Sequence, residues 1–378
     1  MKQRIVIISS QAHAIYNFRG LLIREMLDRG HSVYALAPDY DEELRDHVSQ
    51  IGAVPVPYEL SKNGMNPICD LISMVKLAKL LVNINPDVVL SFFIKPVIFG
   101  TAAASIAGIK RRFAMIEGLG FIFTDQKDSA MGVRKAILRS LVSTLYKNAF
   151  RKLTRAFFLN NDDIADFTRS GIIKETPITN IGGIGVDLNY WSPAPFESKE
   201  EVRFLMIARL LKDKGIYEFV DAARIVKKLY PNASFVVVGG FDTNPSSIKE
   251  EELNSWIDEG LIEYPGQVKD VRAWIARSHV FVLPSYREGM PRTSQEAMAM
   301  GRAVVSTDTA GCRDTVVEGR NGFLVPVKDS IALAAALKIF IEQPNLIESM
   351  GKESRRMAEV RFDAYIINQV ILKEMQLD

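Results

Sequence analysis

Two glutamates, Glu288 and Glu296, stand eight positions apart in the stretch from Leu283 to Gly301. The sequence reads as a buried strand ending at Pro284, a loop holding Gly289, and a helix beginning near Pro291, whose fixed φ suits the first helical position. Glu288 then lies in the loop and Glu296 about one turn into the helix, so both carboxylates can face one ligand lying across the helix start. Carboxylates accept hydrogen bonds in pairs, which suits sugar hydroxyls. The unsatisfied N–H groups of a helix start suit a phosphate or a sugar oxygen, and Gly289 lets such a ligand approach the backbone closely. A helix cap with a solvated glutamate fits the same residues. A second cluster, Ala208-Arg209-Leu210-Leu211-Lys212-Asp213-Lys214-Gly215, also follows a strand and precedes a helix. Arg209 and Lys214 can converge from strand end and helix start onto a diphosphate, neutralising charge that grows on a departing phosphate without a metal. A solvated basic turn is the plain alternative.

Short apolar, β-branched runs alternate with longer segments of helical periodicity, the pattern of parallel sheets covered by helices. Runs at 4–8, 32–37, 54–57, 87–92, 111–116 and 155–159 read as strands of one α/β domain. Those at 202–208, 234–238, 280–283, 303–306 and 322–325 read as strands of a second. Trp191-Ser192-Pro193-Ala194-Pro195 and the charged run 197–201 interrupt both periods, so the join is expected there. In open α/β domains, functional groups lie at the carboxyl ends of strands, and a ligand shared by two domains occupies the cleft between them. The chain has 378 residues, 48% hydrophobic and 24% charged, which excludes a disordered or low-complexity protein. Its 47 Lys and Arg against 45 Asp and Glu leave a formal charge of +2, which gives no reason to expect a nucleic-acid partner. Cys69 and Cys312 are too few for a disulfide framework and read as buried small hydrophobes in a reducing compartment. The apolar run at 5–8 is too short for a signal peptide, and the longest uncharged stretch, 96–109, falls short of the roughly 20 residues that span a bilayer.

Glu288 and Glu296 with seven residues between them, preceded by Arg209 and Lys214 five apart, resemble family 4 of the glycosyltransferases, which has the GT-B fold. The resemblance implies two Rossmann-like domains with parallel sheets facing a central cleft. Residues 1–190 would bind the acceptor, 191–362 the nucleotide sugar, and a final helix within 363–378 would cross back to the first domain. It further implies that Glu288 holds donor-sugar hydroxyls, that Glu296 holds the ribose, and that Arg209 and Lys214 bind the diphosphate. Gly289, Met290 and Pro291 would line the donor, and Val268 of Gly266-Gln267-Val268 would border the nucleobase. The likeness extends over Gly311-Cys312-Arg313-Asp314 and 319–325. The donor loops lack an Asp-x-Asp metal motif, so the UDP-sugar is expected as a co-substrate with no metal and no other cofactor.

In the first half, Tyr16-Asn17-Phe18-Arg19, Leu60 to Pro67, Ile94-Lys95-Pro96 and Glu117-Gly118-Leu119-Gly120 look like bacterial members that extend sugars on undecaprenyl diphosphate, most of all those adding N-acetylgalactosamine. Two departures stand out: Ser9-Ser10-Gln11-Ala12-His13 lacks the Gly-Gly of many members, and no histidine stands near Phe93. Tyr16, Arg19, Lys95 and Glu117 are therefore the acceptor-side candidates, with Arg19 placed to pair with an acceptor phosphate. Ordinary ion pairs, and a loop role for His13, are the alternatives. Lys147, Arg151 and Arg155 recur every four residues within a segment holding seven basic residues and no acidic one, so they read as the basic side of an amphipathic helix resting on an anionic membrane surface. The protein is thus expected in the cytoplasm, peripheral on the inner face of the membrane. Donors other than UDP-N-acetylgalactosamine and a non-lipid acceptor stay open. So does a catalytically silent sugar-nucleotide-binding protein. An NAD-dependent oxidoreductase is disfavoured because neither candidate turn supplies Gly-x-Gly-x-x-Gly.

Overall fold

The computed structural model describes residues 1–60, 67–119, 132–196 and 201–378. Ser61 to Asn66 and Gly120 of the motifs above, and residues 197–200 of the charged run, lie outside the described residues, as do the side chains of Arg134 and Lys135. The chain divides into two units, Met1–Ile184 with Tyr365–Asp378, and Gly185–Ala364. The segment 191–195 belongs to the second unit, where buried Arg302 holds the Ala194 carbonyl at 2.8 Å together with those of Ile275, Ala276 and Met300.

In the first unit, strands β1 (Arg4–Ile8), β2 (Ser32–Ala37), β3 (Val54–Pro57), β4 (Val88–Phe92), β5 (Arg111–Ile116), β6 (Arg155–Phe158) and β7 (Ile178–Asn180) form one parallel sheet in the order β3-β2-β1-β4-β5-β6-β7. The helices are α1 (Ala12–Asp28), α2 (Glu42–Ile51), α3 (Pro67–Ile84), α4 (Thr101–Ile106), entered through a π-helical turn at Pro96–Gly100, α5 (Gly132–Phe150) and α6 (Asn161–Arg169). β1 after Arg4 and β4 apart from Ser91 are apolar and buried on both faces, as central parallel strands must be. Differences from the sequence reading appear here. His13 is the second residue of α1 rather than a loop residue. β7, three residues long beside Pro177, was too short to stand out. The helix α5 ends at Phe150, so Arg151 lies in the following turn and Arg155 on β6, and the four-residue spacing with Lys147 does not form one helical face.

The second unit holds β8 (Arg203–Ile207), β9 (Ser234–Val238), β10 (Val280–Leu283), β11 (Ala303–Thr307) and β12 (Gly322–Val325), parallel in the order β12-β11-β10-β8-β9. Its helices are α7 (Ile216–Lys227), α8 (Glu250–Asp258), α9 (Arg272–Arg277), α10 (Arg292–Ala299), α11 (Ser330–Glu342) and α12 (Asn345–Arg361). Its core is a continuous cluster running from Phe204 and Phe219 to Leu333, Leu337 and Phe340. The chain closes with α13 (Ala364–Glu374), whose Asn368 donates to Glu25 of α1 at 2.8 Å. Among the described residues, no single helix is long and apolar enough to cross a membrane. Cys312 is buried, but Cys69 is exposed on α3, against expectation, because its position faces away from the sheet.

Candidate active site

The order of the second sheet reverses between β8 and β10, so their carboxyl ends diverge and open a crevice, the usual binding point of such a sheet. The loop after β8 carries Arg209 and Lys214, and the loop after β10 carries Glu288 and leads into α10, which carries Glu296. Gly215, at φ +78°, lets the turn after Lys214 press against the other loop, since a Cβ there would sit 2.1 Å from the Pro284 carbonyl oxygen. Tyr286 N–H donates to the Asp213 carbonyl at 2.8 Å and completes that seam. On the opposite side Gly311, at φ +73°, allows Ala310 to accept from Glu288 N–H at 3.1 Å; a Cβ at Gly311 would lie 2.5 Å from the Glu288 carbonyl oxygen.

Within this frame Lys214 Nζ donates to Glu288 Oε1 at 2.6 Å, and buried Ser285 Oγ donates to the same oxygen at 2.7 Å. The ion pair is mostly shielded from solvent, which strengthens it and fixes both side chains. Pro291 caps α10 rather than starting it, with an extended ψ of 116° and no side-chain cap. The first N–H groups of α10 therefore carry no side-chain acceptor at the N-cap. One turn on, Glu296 is buried and accepts from Arg292 Nε at 2.9 Å. Burial pushes the Glu296 carboxyl above its ordinary range, and Arg292 offsets this in part. Cys312, buried beside Glu288, has its thiol pushed up to about 12 by burial and then by that carboxylate, so it stays neutral.

Arg209 occupies the same crevice without joining this pair. Its side chain is 63% exposed and donates to Asp242 Oδ2 at 2.6 Å. Burial alone would raise the Asp242 carboxyl, but hydrogen bonds from Asn244 N–H and Arg209 outweigh it and hold the group below the usual carboxylate range. Val268 lies half-buried on the loop whose Gly266 carbonyl accepts from Gly239 N–H at 3.1 Å, which ties it to the end of β9. Met290 is buried and Gly289 is enclosed in the same turn. Ser285, Arg292 and Asp242 were not anticipated. Arg292 was legible as the i,i+4 partner of Glu296, whereas Asp242 is reached only through pairing of β8 with β9.

Residues 201–343 match the family described as Glycosyl transferases group 1, and residues 5–158 the one described as Glycosyl transferase 4-like. The chain is 34% identical, over 98% of its length and 97% of the relative's, to the N,N'-diacetylbacillosaminyl-diphospho-undecaprenol alpha-1,3-N-acetylgalactosaminyltransferase of Campylobacter jejuni. It belongs to the family 4 glycosyltransferases. A second relative, the UDP-Gal:alpha-D-GlcNAc-diphosphoundecaprenol alpha-1,3-galactosyltransferase of Escherichia coli, is 27% identical over 76% of this chain and 74% of its own. Sucrose-phosphate synthase of Thermosynechococcus elongatus shares the fold, with a TM-score of 0.82 at 18% identity over 99% of this chain and 98% of its own. The fold is accordingly GT-B.

On the N-terminal unit of this glycosyltransferase the four acceptor-side candidates are differently placed. Arg19 is only 2% exposed. It forms an ion pair with Glu117, donates to the Phe18 carbonyl at 2.9 Å, and lies 4.6 Å from the Phe92 ring centroid. It thus sits inside the first unit, bound to Glu117 in the ion pair that its charge also allowed. Its place was legible, because it falls on the core face of α1 with Ile15, Leu22 and Ile23. Lys95 Nζ is bonded to Asp70 Oδ1 at 2.9 Å, and Tyr16 stacks on His47 with ring centroids 4.8 Å apart. Lys147 remains on α5, half-buried, while Arg155 is bonded to Glu374 of α13 at 3.0 Å. The chain does contain one Asp-x-Asp, Asp39-Tyr40-Asp41, outside the donor loops. Its carboxylates accept from Ala12 N–H of α1 and Leu44 N–H of α2, both at 2.7 Å, which is helix capping.

Proposed function

We propose that this glycosyltransferase moves a sugar from a UDP-sugar to a saccharide carried on undecaprenyl diphosphate, with retention of anomeric configuration and with N-acetylgalactosamine as the transferred sugar. The observation that carries the donor reading is the Lys214–Glu288 pair at 2.6 Å, set with Arg209 beside the start of α10 at the switch point of the second sheet. One carboxylate, two cations and a helix N-terminus around one crevice suit a sugar joined to a diphosphate. Both relatives above carry an alpha-1,3 linkage and a diphospho-undecaprenol in their names. An α product from an α-configured nucleotide sugar is retention.

In the reaction the acceptor hydroxyl forms the new bond to the anomeric carbon as the bond to the β-phosphate oxygen breaks, on the same face. The acceptor's proton passes to that phosphate oxygen and UDP departs. Arg209, Lys214 and the N–H groups of α10 stabilise the charge growing on UDP, which is electrostatic catalysis by groups already in place. Glu288 orients the sugar hydroxyls and Glu296 the ribose, with Gly289, Met290, Pro291 and Val268 lining the donor. Lys214 and Arg209 together supply the positive charge that a divalent ion would otherwise bring, and the lipid tail of the acceptor puts the reaction at the cytoplasmic face of the membrane. The test is a donor panel with detergent-solubilised lipid-linked acceptor, the common UDP-sugars and one GDP-sugar, scored by product mass and UDP release with and without EDTA. Turnover with UDP-N-acetylgalactosamine, kept in EDTA, is expected. Turnover confined to another donor rejects the sugar assignment, and tight UDP binding without turnover on any donor argues for a silent binding protein.

A further inference from the structure

Both cations of the donor crevice stand against a carboxylate, and the two carboxylates differ. Glu288, bonded to Lys214, has sugar hydroxyls to orient. Asp242, bonded through Oδ2 to Arg209 Nη1 at 2.6 Å, has no part in the transfer described above. It is nevertheless firmly placed. Its Oδ1 accepts from Asn244 N–H at 2.8 Å, and its own N–H donates to Ser247 Oγ at 3.3 Å. Ser247 Oγ donates in turn to the carbonyl of Leu210, the neighbour of Arg209, at 3.1 Å, and Leu210 N–H donates to the Gly240 carbonyl at 2.9 Å. The turn that holds Asp242 is thus bonded to the Arg209 loop by groups other than the ion pair itself. The Asp242 side chain is 20% exposed against 63% for Arg209. The carboxylate is the fixed member of the pair, and the guanidinium reaches from it into solvent.

A guanidinium carries five N–H donors, so a phosphate can join Arg209 while Asp242 keeps its bond. Phosphate and carboxylate then face each other across one cation and repel. The donor and the leaving product feel this unequally. The diphosphate of a UDP-sugar is esterified at both ends and carries a charge of about −2, whereas UDP ends in a phosphate whose second ionisation lies near pH 6 and carries about −3 at neutral pH. We propose that Asp242 is a specificity-determining residue acting through Arg209, whose fixed charge disfavours UDP more than the UDP-sugar and so hastens UDP release after transfer. The inference rests on the donor reading above and deepens it. A carboxylate that merely aimed Arg209 would strengthen both ligands, and its neutralisation would weaken both.

The test is calorimetric titration of the full chain with UDP, UDP-N-acetylgalactosamine and uridine, without acceptor, in the wild type, Asp242→Asn, Asp242→Ser and Asp242→Glu. Asn and Ser keep an oxygen for the Asn244 N–H, so the turn stands without the charge, and Glu keeps the charge. In both neutral variants UDP should bind about tenfold tighter and UDP-N-acetylgalactosamine about threefold tighter, a Coulomb effect that grows with ligand charge. Uridine, which lacks phosphate, should bind equally in all, and Asp242→Glu should keep the wild-type ratio of the two nucleotides. Asp221→Asn, which removes the same charge from an exposed pair with Arg224 on α7, should change none of these. During turnover on a lipid-linked acceptor, the ratio of the UDP inhibition constant to the donor KM should fall about threefold in Asp242→Asn. Equal tightening of both nucleotides overturns the proposal, as does weaker binding of both. Altered uridine binding in the neutral variants also overturns it, because the carboxylate would then shape the loop rather than act by charge. A wild-type chain that binds neither nucleotide strikes the donor reading, whereas UDP binding that neither neutral variant alters strikes this inference alone.

Discussion

At the scale of single residues, Lys214 and Arg209 carry different structural roles despite their common charge. Lys214 is shielded and locked to Glu288, so Lys214→Ala removes a cation from the leaving phosphate and also leaves Glu288 beside Ser285 without its positive partner. Arg209 is held by Asp242 and is largely in solvent. Both substitutions should lower kcat at saturating donor by about 10²- to 10³-fold, the usual cost of losing one preorganised charge-stabilising donor. Only Lys214→Ala should also relax discrimination among UDP-sugars. Near-normal kcat in either would reject the role of that cation. Glu296 makes a prediction about pH. Burial raises its folded-state pKa above the unfolded value, so the folded protein binds more protons and stability falls as pH rises from the unfolded pKa through the raised folded one. Glu296→Gln should flatten that slope and raise the denaturation midpoint at neutral pH while weakening UDP binding, as measured by denaturant titration across pH and by calorimetry. An unchanged slope would mean that the carboxyl is not burdened by its burial.

At the scale of elements, the strand-end loops decide what the sheet can hold. Gly215 is the point where the turn before α7 meets the strand end at Pro284, and Gly215→Ala meets both a left-handed φ and a carbonyl at 2.1 Å. Gly266→Ala, at φ +83° with nothing within 4 Å, meets the backbone cost alone, roughly 1–2 kcal/mol. Gly215→Ala should therefore cost clearly more than Gly266→Ala, with the two compared by chemical denaturation. Equal losses would mean that the seam between the loops is soft. These elements were largely legible in the sequence. Central strands such as β1, β8 and β10 are apolar runs, the first two opening on an arginine, and helices such as α10 follow their loops at recognisable starts. The donor residues were legible for that reason, being fixed by the end of one strand and the start of one helix. Asp242 was not, because its loop is brought to Arg209 only by the order of strands in the sheet, and Ser285 was not, because its bond to Glu288 three positions on depends on the path of an irregular turn. The basic row of Lys147, Arg151 and Arg155 failed because spacing does not report where a helix stops. The turn at Arg151 and the strand at Arg155 break the period that the charges alone continue.

At the scale of the whole molecule, the last residues belong to the first unit. Ile367, Ile371, Leu372, Met375 and Leu377 are buried. Gln369 accepts from Arg29 at 2.6 Å, His31 contacts the Leu377 carbonyl at 3.2 Å, and Arg111 donates to the Gln376 carbonyl at 3.0 Å. α13 therefore contributes hydrophobic surface to a unit whose other residues end at Ile184. Leu372, fully buried, tests this dependence. Leu372→Ala should cost about 2–5 kcal/mol, the transfer term plus a cavity, and in a unit of this size each kcal/mol corresponds to roughly 2–4 °C. The loss should appear in the first unit. Hydrogen exchange should quicken in α1 and β1 while β8 and β10 keep their protection, and UDP binding by the second unit should be unchanged. A thermal midpoint equal to that of the wild type, or exchange quickened equally in both sheets, would show that α13 does not stabilise the first unit specifically.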